Sequence, residues 1–217
     1  MRLVLATTLF ALVSFAATAK ADNFVTNGNF SPSNGVPGYG PVAGWTEVGA
    51  GTGSTNFNTT GFWNNGTLPA GDTTTGFIQG VGSFSQSLSG LTVGQTYQLS
   101  FMDNARDLTG DNCCNATPTL TVSIGGSTLL GPSGVSSVGG SNPFNFIVDT
   151  FVATAAMETL EFSSTTPLNA NGGPTDGTLL LSNVAVSSTT PEPSSLMLLG
   201  TGILGAAGAM RRRFLRS

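Results

Sequence analysis

FIQGVGSFSQSLSGLTVGQTYQLSF, residues 77–101, alternates apolar and polar side chains in short runs that are separated by glycines. Near its end, Tyr97, Leu99 and Phe101 are spaced by single polar residues. This period of two places three large apolar groups on one face of a strand. Residues 88–95 hold two glycines around a short apolar run and are predicted to be a tight link between strands. The pattern indicates half-buried β-strands joined by turns.

The same periodicity recurs along the rest of the chain. Leu120, Val122 and Ile124 alternate with polar residues, and the further predicted strands are residues 77–80, 83–88, 144–152, 159–163 and 178–186. Within 144–152 the apolar phase changes before Phe151, which predicts a β-bulge near Asp149 and Thr150. No helix is predicted in the body, residues 22–188. The body is therefore predicted to be one all-β domain, a sandwich of roughly seven or eight strands.

The composition excludes several kinds of catalytic and metal chemistry. The 217 residues contain no histidine, so the chain has no Ser-His-Asp triad, no histidine metal site and no imidazole base. Glu158 and Glu161 form the only close pair of glutamates in the body. Their odd separation places them on opposite faces of an extended strand, which makes them a poor acid–base pair for glycoside hydrolysis. A protein without catalytic residues is predicted.

The net charge of the body argues against nucleic-acid binding. Between residues 22 and 190, Arg106 is the only Lys or Arg, whereas ten residues are Asp or Glu, so the net charge is −9. Phosphate backbones and anionic membrane surfaces would be repelled by this charge.

Both ends of the chain carry the features of export signals. Residues 1–21 combine Arg2, an apolar run and the small residues Ala19 and Ala21, which is the pattern of a secretory signal peptide cleaved after Ala21. A buried N-terminal helix is the alternative, but residues 3–17 offer no polar face.

The C-terminal segment, residues 189–217, is predicted to contain a single transmembrane helix. Residues 194–210 carry no charge, and as a helix they would rise about 25 Å, slightly less than the thickness of a hydrocarbon core. Arg211, Arg212 and Arg213 would remain on the cytoplasmic side, so the body would lie outside.

Pro191, Glu192 and Pro193, followed by this apolar stretch and the arginine cluster, resemble the PEP-CTERM sorting signal of Gram-negative bacteria. The same tail is also known as an ice-binding protein C-terminal motif. The resemblance implies recognition by an exosortase in the inner membrane, with cleavage near the Pro-Glu-Pro, in cells that make exopolysaccharide. A permanent C-terminal anchor is the alternative. Ice binding is not favoured, because the threonines of this chain do not repeat at a fixed period.

The body also resembles a family, the galactose-binding-domain-like jelly rolls. The resemblance rests on NGNF at 27–30, GW at 44–45, the stretch at 77–101, TFVA at 150–153 and LSNVAV at 181–186. It implies a jelly-roll β-sandwich. Members of the family often have acidic residues where this chain has Ser31 and Ser182, and such carboxylates can help to hold a structural calcium ion. Because hydroxyl groups are poor substitutes for them, this site is not expected here.

A second candidate for calcium lies in the loop after the strand that contains Tyr97. Asp103, Asp107 and Asp111 are close together there, and oxygen-rich loops of this kind bind Ca2+, although the spacing does not match an EF-hand. The alternative is a solvated acidic loop in which Arg106 pairs with a neighbouring carboxylate. No other cofactor is expected.

Cys113 and Cys114 are adjacent in the same loop. An exported chain meets an oxidising compartment, but consecutive Cα atoms are only about 3.8 Å apart, so a vicinal disulfide would be strained. A vicinal bridge, intermolecular pairing and two free thiols remain open.

The tryptophans suggest a function. Trp63, followed by Asn64 and Asn65, could offer a flat apolar face to a sugar ring while the amides hydrogen-bond its hydroxyl groups. The alternative is that Trp63 packs within the protein, which is the prediction for Trp45.

These observations predict an exported, non-enzymatic protein of the cell surface or the extracellular biofilm matrix. It would first be held at the inner membrane by its C-terminal helix and would associate with an extracellular polysaccharide. A purely structural matrix protein without a sugar ligand is the main alternative, and a secreted hydrolase is a less favoured one.

Overall fold

The computed structural model describes residues 22–35, 38–49, 51–56, 66–68, 70–106, 117–165, 177–189 and 202. Asp22–Thr189 form one compact unit. The predicted signal peptide and, apart from Gly202, the predicted transmembrane stretch lie outside the described residues. Within the described part of the chain, no helix is long and apolar enough to cross a membrane.

Eleven strands build the described part of this unit. In chain order they are β1 (Gly38–Tyr39), β2 (Thr46–Val48), β3 (Thr52–Asn56), β4 (Thr74–Gln79), β5 (Val81–Ser89), β6 (Thr96–Ala105), β7 (Thr119–Ile124), β8 (Ser127–Gly134), β9 (Asn145–Val152), β10 (Met157–Thr165) and β11 (Thr178–Ser188). Hydrogen bonds arrange them in a six-stranded sheet, β1-β3-β4-β11-β6-β9, and a five-stranded sheet, β2-β5-β10-β7-β8. Every pairing between these strands is antiparallel, and the predicted all-β class is confirmed.

The last eight strands follow the jelly-roll order. β7 pairs with β8, β6 with β9, β5 with β10 and β4 with β11, as in one long hairpin of four strands on each arm. The hairpin is wound so that β11 also lies beside β6, and β10 beside β7. Successive pairs therefore alternate between the two sheets, which is the double Greek key of a jelly roll.

Large apolar side chains fill the space between the sheets. Tyr97, Leu99 and Phe101 of β6 are buried, as their period of two predicted, and Phe101 packs edge-on against Phe162 of β10 at 5.1 Å. β7 faces them from the other sheet with Leu120, Val122 and Ile124. Each fully buried side chain of this size contributes about 1.5–3 kcal/mol, so this interior is the main source of stability.

The structure of β9 differs from the prediction. Its pairing with β6 continues over all eight residues without a register shift, so the predicted bulge near Asp149 and Thr150 is wrong. Ile147 and Phe151 pack in the core, whereas Phe146 and Val148 are exposed on the other face. The apolar phase changes because this strand places apolar side chains on both faces.

Register shifts occur elsewhere, in β11 between Ser182 and Ala185 and in β7 opposite β8. β8 and the short strands β1 and β3 were not predicted from the sequence. β8 has the sequence STLLGPSG, in which two leucines are adjacent, so it lacks the alternation on which the prediction relied.

The segment from Asn23 to Gly28 runs beside β11 and joins the two ends of the body. Phe24 N–H donates to Val186 O at 2.9 Å, and Val184 N–H donates to Gly28 O at 3.0 Å. A Cβ atom at Gly28 would lie 2.0 Å from Val184 O, so this close approach requires glycine. The opening NGNF and the closing LSNVAV are therefore neighbours in the fold.

Candidate functional site

Two aromatic side chains are exposed among the described residues, and both lie on edge strands of the six-stranded sheet. Tyr39 of β1 is 65% exposed, and Phe146 of β9 is 61% exposed. Other aromatic rings in the described part of the chain are buried or half-buried. Exposed rings of this kind are available to a ligand, so the sheet face that carries them is the candidate site.

The strand register places Tyr39 on the outer face of this sheet. Tyr39 is opposite Gly53, Gly53 is opposite Phe77, and Phe77 is opposite Leu180. Residues opposite each other in antiparallel strands project to the same side. Phe77 and Leu180 belong to a cluster separate from the main core, which identifies this side as the outer one.

The register also places Phe146 on the outer face. Phe146 is opposite Met102, and Met102 is opposite Ser182. Ser182 is two residues from Leu180 on β11, so the two side chains project to the same side of the sheet. The two exposed rings therefore share one face and are separated by about five strand spacings, or roughly 24 Å.

Neighbouring side chains hold Tyr39 in place despite its exposure. Its ring packs against Phe77 with centroids 5.2 Å apart and an interplanar angle of 88°. Its hydroxyl group is hydrogen-bonded to Gln79 Oε1. A Cβ atom at Gly53 would lie 2.9 Å from Phe77 Cζ, so the glycine between the two rings leaves the space for their contact. A preorganised ring loses little rotamer entropy when a ligand binds.

Polar and apolar groups surround Phe146 on the outer face. Val148 and Val152 are exposed on the same face, two and six residues along β9 from it. On β6, Ser100 lies opposite Val148, and the exposed Gln98 lies opposite Thr150. A face that carries a flat ring and, farther along the strands, hydroxyl and amide groups can bind an extended ligand that has both apolar and hydrogen-bonding surfaces.

The middle of the outer face is covered by the chain itself. Phe77, Phe144 and Leu180 are buried there, and Leu68 and Met102 pack against them. Residues 66–68 are fixed over this cluster, since Thr67 N–H donates to Asn142 O at 2.8 Å and Phe144 N–H donates to Thr67 O at 3.3 Å. The accessible parts of the face are therefore its two sides, around Tyr39 and around Phe146.

The predicted sugar-binding residues Trp63, Asn64 and Asn65 lie outside the described residues. Trp45 packs in the core as predicted, with 8% of its surface exposed. Its ring stacks on Phe30 at 4.8 Å, and its Nε1 donates to Asn27 O at 3.0 Å.

The predicted calcium loop is described only at its beginning. Asp103 is buried on the inner side of β6 and accepts a hydrogen bond from Asn145 Nδ2 at 3.0 Å. Burial raises the pKa of Asp103 above its ordinary value, and the bond from Asn145 opposes part of this rise. Asp107 and Asp111 lie outside the described residues, as do Cys113 and Cys114. Within the described ranges, no three acidic, cysteine or histidine side chains are grouped as metal ligands.

The two close glutamates lie on opposite faces of β10, as predicted. Glu158 faces inward and is buried, and its Oε1 accepts hydrogen bonds from Thr154 N, Thr154 Oγ1 and Ala155 N at 2.7, 2.6 and 3.2 Å. Glu161 is half-buried and lies opposite Ser85 and Ser123 on the outer face of its sheet. Glu158 therefore stabilises the turn before β10, and the geometry of an acid–base pair is missing for these two residues.

Residues 189–213 match the PEP-CTERM protein-sorting motif. This match confirms the resemblance that Pro191, Glu192, Pro193 and the arginine cluster indicated. The motif is a sorting signal, and it indicates an exported protein that is processed at the cell envelope. It covers only the tail of the chain. No curated protein matches the chain in sequence.

Several solved structures are similar to the body. The N-terminal CBM22-1-CBM22-2 tandem domain from Paenibacillus barcinonensis Xyn10C has a TM-score of 0.48 and 14% identity over 82% of this chain and 50% of its own. TmCBM61 in complex with β-1,4-galactotriose has a TM-score of 0.43 and 12% identity over 77% of this chain and 99% of its own. The enzymatically active domain of bacteriophage CBA120 tailspike protein 4 has a TM-score of 0.46 and 17% identity over 76% of this chain. This chain spans 21% of that tailspike protein.

Proposed function

We propose that this exported protein is a non-enzymatic, polysaccharide-binding protein of the cell surface or extracellular matrix. The outer face of the six-stranded sheet is its binding surface. One observation carries the proposal: the two exposed aromatic rings of the described residues, Tyr39 and Phe146, are on this one face.

The chemistry of a sugar suits such a surface. A pyranose ring has apolar C–H faces and polar edges, so it packs on an aromatic ring while its hydroxyl groups form hydrogen bonds at the side. On the same face as Phe146, β6 offers the half-buried Ser100 and the exposed Gln98 for this purpose, opposite residues two and four positions along β9. A distance of roughly 24 Å between the two ring-bearing strands is long enough for contact with several units of a polymer.

The loop that contains Trp63, Asn64 and Asn65 extends this surface in our proposal. Gly66, the residue after Asn65, is described, and a Cβ atom there would lie 3.0 Å from Asn104 Nδ2 and 3.1 Å from Phe144 Cε1. The sugar-binding role predicted for Trp63, Asn64 and Asn65 is therefore assigned to the same surface in this proposal.

Sorting is the other part of the proposed function. A signal peptide at residues 1–21 directs export, and a helix at residues 194–210 holds the precursor in the inner membrane. An exosortase then acts at Pro191–Pro193 and releases the body toward the matrix. The match of residues 189–213 to the sorting motif supports this sequence of events.

The binding proposal is tested with the full-length protein and the exopolysaccharide of the cells that produce it. We expect saturable binding in calorimetry, with affinity lowered about three- to tenfold by Tyr39→Ala, Phe146→Ala or Trp63→Ala, since one ring contact contributes about 0.5–1.5 kcal/mol. Met157→Ala is the matched control, because Met157 is equally exposed but lies on the other sheet. If the wild-type protein does not bind the polysaccharide, the structural matrix alternative replaces this proposal.

A further inference from the structure

The surface around Tyr39 and Phe146 offers no cation to a ligand. We infer that its ligand is an uncharged polysaccharide, without carboxylate, sulfate or phosphate substituents. This inference rests on the proposed function and specifies the class of glycan that the surface accepts.

The distribution of cations is the first argument. Between residues 22 and 190 the sequence contains one Lys or Arg, Arg106, and no histidine. Arg106 is only 5% exposed, and its main-chain N–H donates to Thr178 O at 2.9 Å. Its guanidinium group is therefore within the fold and does not form part of the ligand-accessible surface. This conclusion covers the whole body, because the count of cations comes from the full sequence.

The second argument concerns what an acidic sugar requires. A carboxylate or sulfate that leaves water must exchange its hydration for strong donors, and Arg and Lys form the strongest hydrogen bonds to such groups. The polar side chains on the outer face of β6 and β9 include the exposed Gln98 and Thr150 and the half-buried Ser100. These neutral groups match the hydroxyl groups of a neutral sugar and only weakly compensate the desolvation of an anion.

The third argument is the sign of the local charge. Asp72 lies at the outer face, where its Oδ2 accepts a hydrogen bond from Ser182 Oγ at 3.0 Å. The body carries a net charge of −9, and charges within about 8 Å of a bound polymer are poorly screened at physiological ionic strength. An acidic polymer would therefore be repelled where a neutral one is not.

The test compares two fractions of the producing cells' exopolysaccharide, separated by anion exchange into neutral and acidic polymers. Six cations of the precursor lie outside residues 22–190, so the full chain is measured beside a variant with Arg211, Arg212, Arg213 and Arg216 replaced by Gln. We expect this variant to bind the neutral fraction at low and high salt. Its affinity for the acidic fraction should be at least about tenfold lower than its affinity for the neutral fraction. Chemical reduction of the carboxylates in the acidic polymers should raise the affinity for that fraction.

A gain of function provides the second measurement. Gln98→Lys places a cation on the outer face, opposite Thr150 and on the same face as Phe146. We expect the ratio of its affinities for the acidic and neutral fractions to rise at low salt relative to the wild type. Ser87→Lys is the control, because Ser87 is exposed on β5 of the other sheet.

The possible outcomes distinguish the two proposals. Equal or tighter binding of the acidic fraction by the tail variant, with or without EDTA, overturns the inference and leaves polysaccharide binding intact. Loss of that binding in EDTA would show that a bound calcium ion supplies the charge, which also contradicts an uncharged ligand. Absence of binding to both fractions rejects the proposed function itself, and the inference with it.

Discussion

Gln86 and Thr26 are 60 positions apart in sequence and are joined by two hydrogen bonds. Thr26 N–H donates to Gln86 Oε1 at 2.7 Å, and Gln86 Nε2 donates to Thr26 O at 2.9 Å. Gln86 Nε2 also donates to Gly44 O at 2.6 Å. A side chain of β5 thus takes the place of a neighbouring strand for two irregular segments and satisfies their main-chain groups.

Replacement of Gln86 should destabilise the body strongly. In Gln86→Ala, three main-chain groups lose their partners and the buried side chain leaves a cavity, so we expect the free energy of unfolding to fall by about 3 kcal/mol. Urea denaturation of the full-length protein measures this change. Gln98→Ala is the matched control, since Gln98 is exposed and its loss should cost less than about 0.5 kcal/mol. Equal effects of the two substitutions would contradict the structural role of Gln86.

The buried Asp103 should make stability increase as the pH falls from neutral. Because burial raises its pKa in the folded protein, the folded state retains the proton to a higher pH than the unfolded chain does. Stability from this group is therefore lost as the pH rises from the ordinary value of 3.8 through the raised one. Asp103→Asn keeps an oxygen for Asn145 Nδ2 and removes the charge, so it should be at least as stable as the wild type at pH 7.

Unfolding of both proteins across the acid-to-neutral range measures this difference. We expect the advantage of Asp103→Asn to decrease as the pH falls toward 3.8. Asp103→Ala, which loses the bond from Asn145, should be less stable than Asp103→Asn at every pH. A constant difference between wild type and Asp103→Asn would show that Asp103 does not titrate differently on folding.

Asp149 should protect the open edge of the six-stranded sheet. Thr150 N–H donates to Asp149 Oδ1 at 2.7 Å, so this main-chain donor on the edge strand is already satisfied by a side chain. The other long edge strand, β8, contains Pro132 and pairs with β7 in an irregular register. The two remaining edge strands, β1 and β2, have only two and three residues. Short strands, proline and charge all hinder pairing of an edge with another chain.

We expect Asp149→Ala to self-associate more readily than the wild type. The substitution frees Thr150 N–H and removes a negative charge from the edge strand that carries the exposed Phe146 and Val148. Sedimentation velocity over a range of concentrations detects the change. Asp149→Asn keeps an acceptor oxygen, so its tendency to self-associate should be intermediate between those of the wild type and Asp149→Ala. Identical sedimentation of all three proteins would show that this carboxylate does not control the edge.

Export and sorting should together shorten the chain at both ends, by removal of the signal peptide and of the C-terminal tail. We expect the form recovered from outside the producing cells to begin near Asp22 and to lack Arg211, Arg212 and Arg213. Mass spectrometry of the intact protein measures both termini. A variant with Pro191 and Pro193 replaced by Ala should accumulate as the precursor. Recovery of only full-length tails from wild-type cells would support a permanent anchor instead.

The sequence predicted the strands that have one face in the core and one face in solvent. β6 and β7 are such strands, and their alternation of apolar and polar residues is almost complete. β9 shows the limit of the method, because an edge strand can place Ile147 in the core and leave Phe146 exposed. The periodicity identifies a strand in that case but does not identify its buried face.

The candidate site was less predictable than the fold. The polar residues around Trp63 predict a sugar-binding role for it, whereas Tyr39 lies in a two-residue strand that no periodicity reveals. The available signal was an aromatic residue between Gly38 and Gly40, which is unusual for a core position. Its location on the same face as Phe146 depends on pairing between distant strands, and local sequence contains no information about that pairing.

The position of β11 has a consequence for the timing of folding. β11 is the last strand in the chain, yet it lies between β4 and β6 and pairs with both. The six-stranded sheet therefore cannot close until nearly all of residues 22–188 have left the cytoplasm. A chain that completes its fold only at its last strand stays open during transport, and the sorting motif that begins at residue 189 follows at once. Under the proposed function, release from the membrane would therefore follow closely on completion of the sheet.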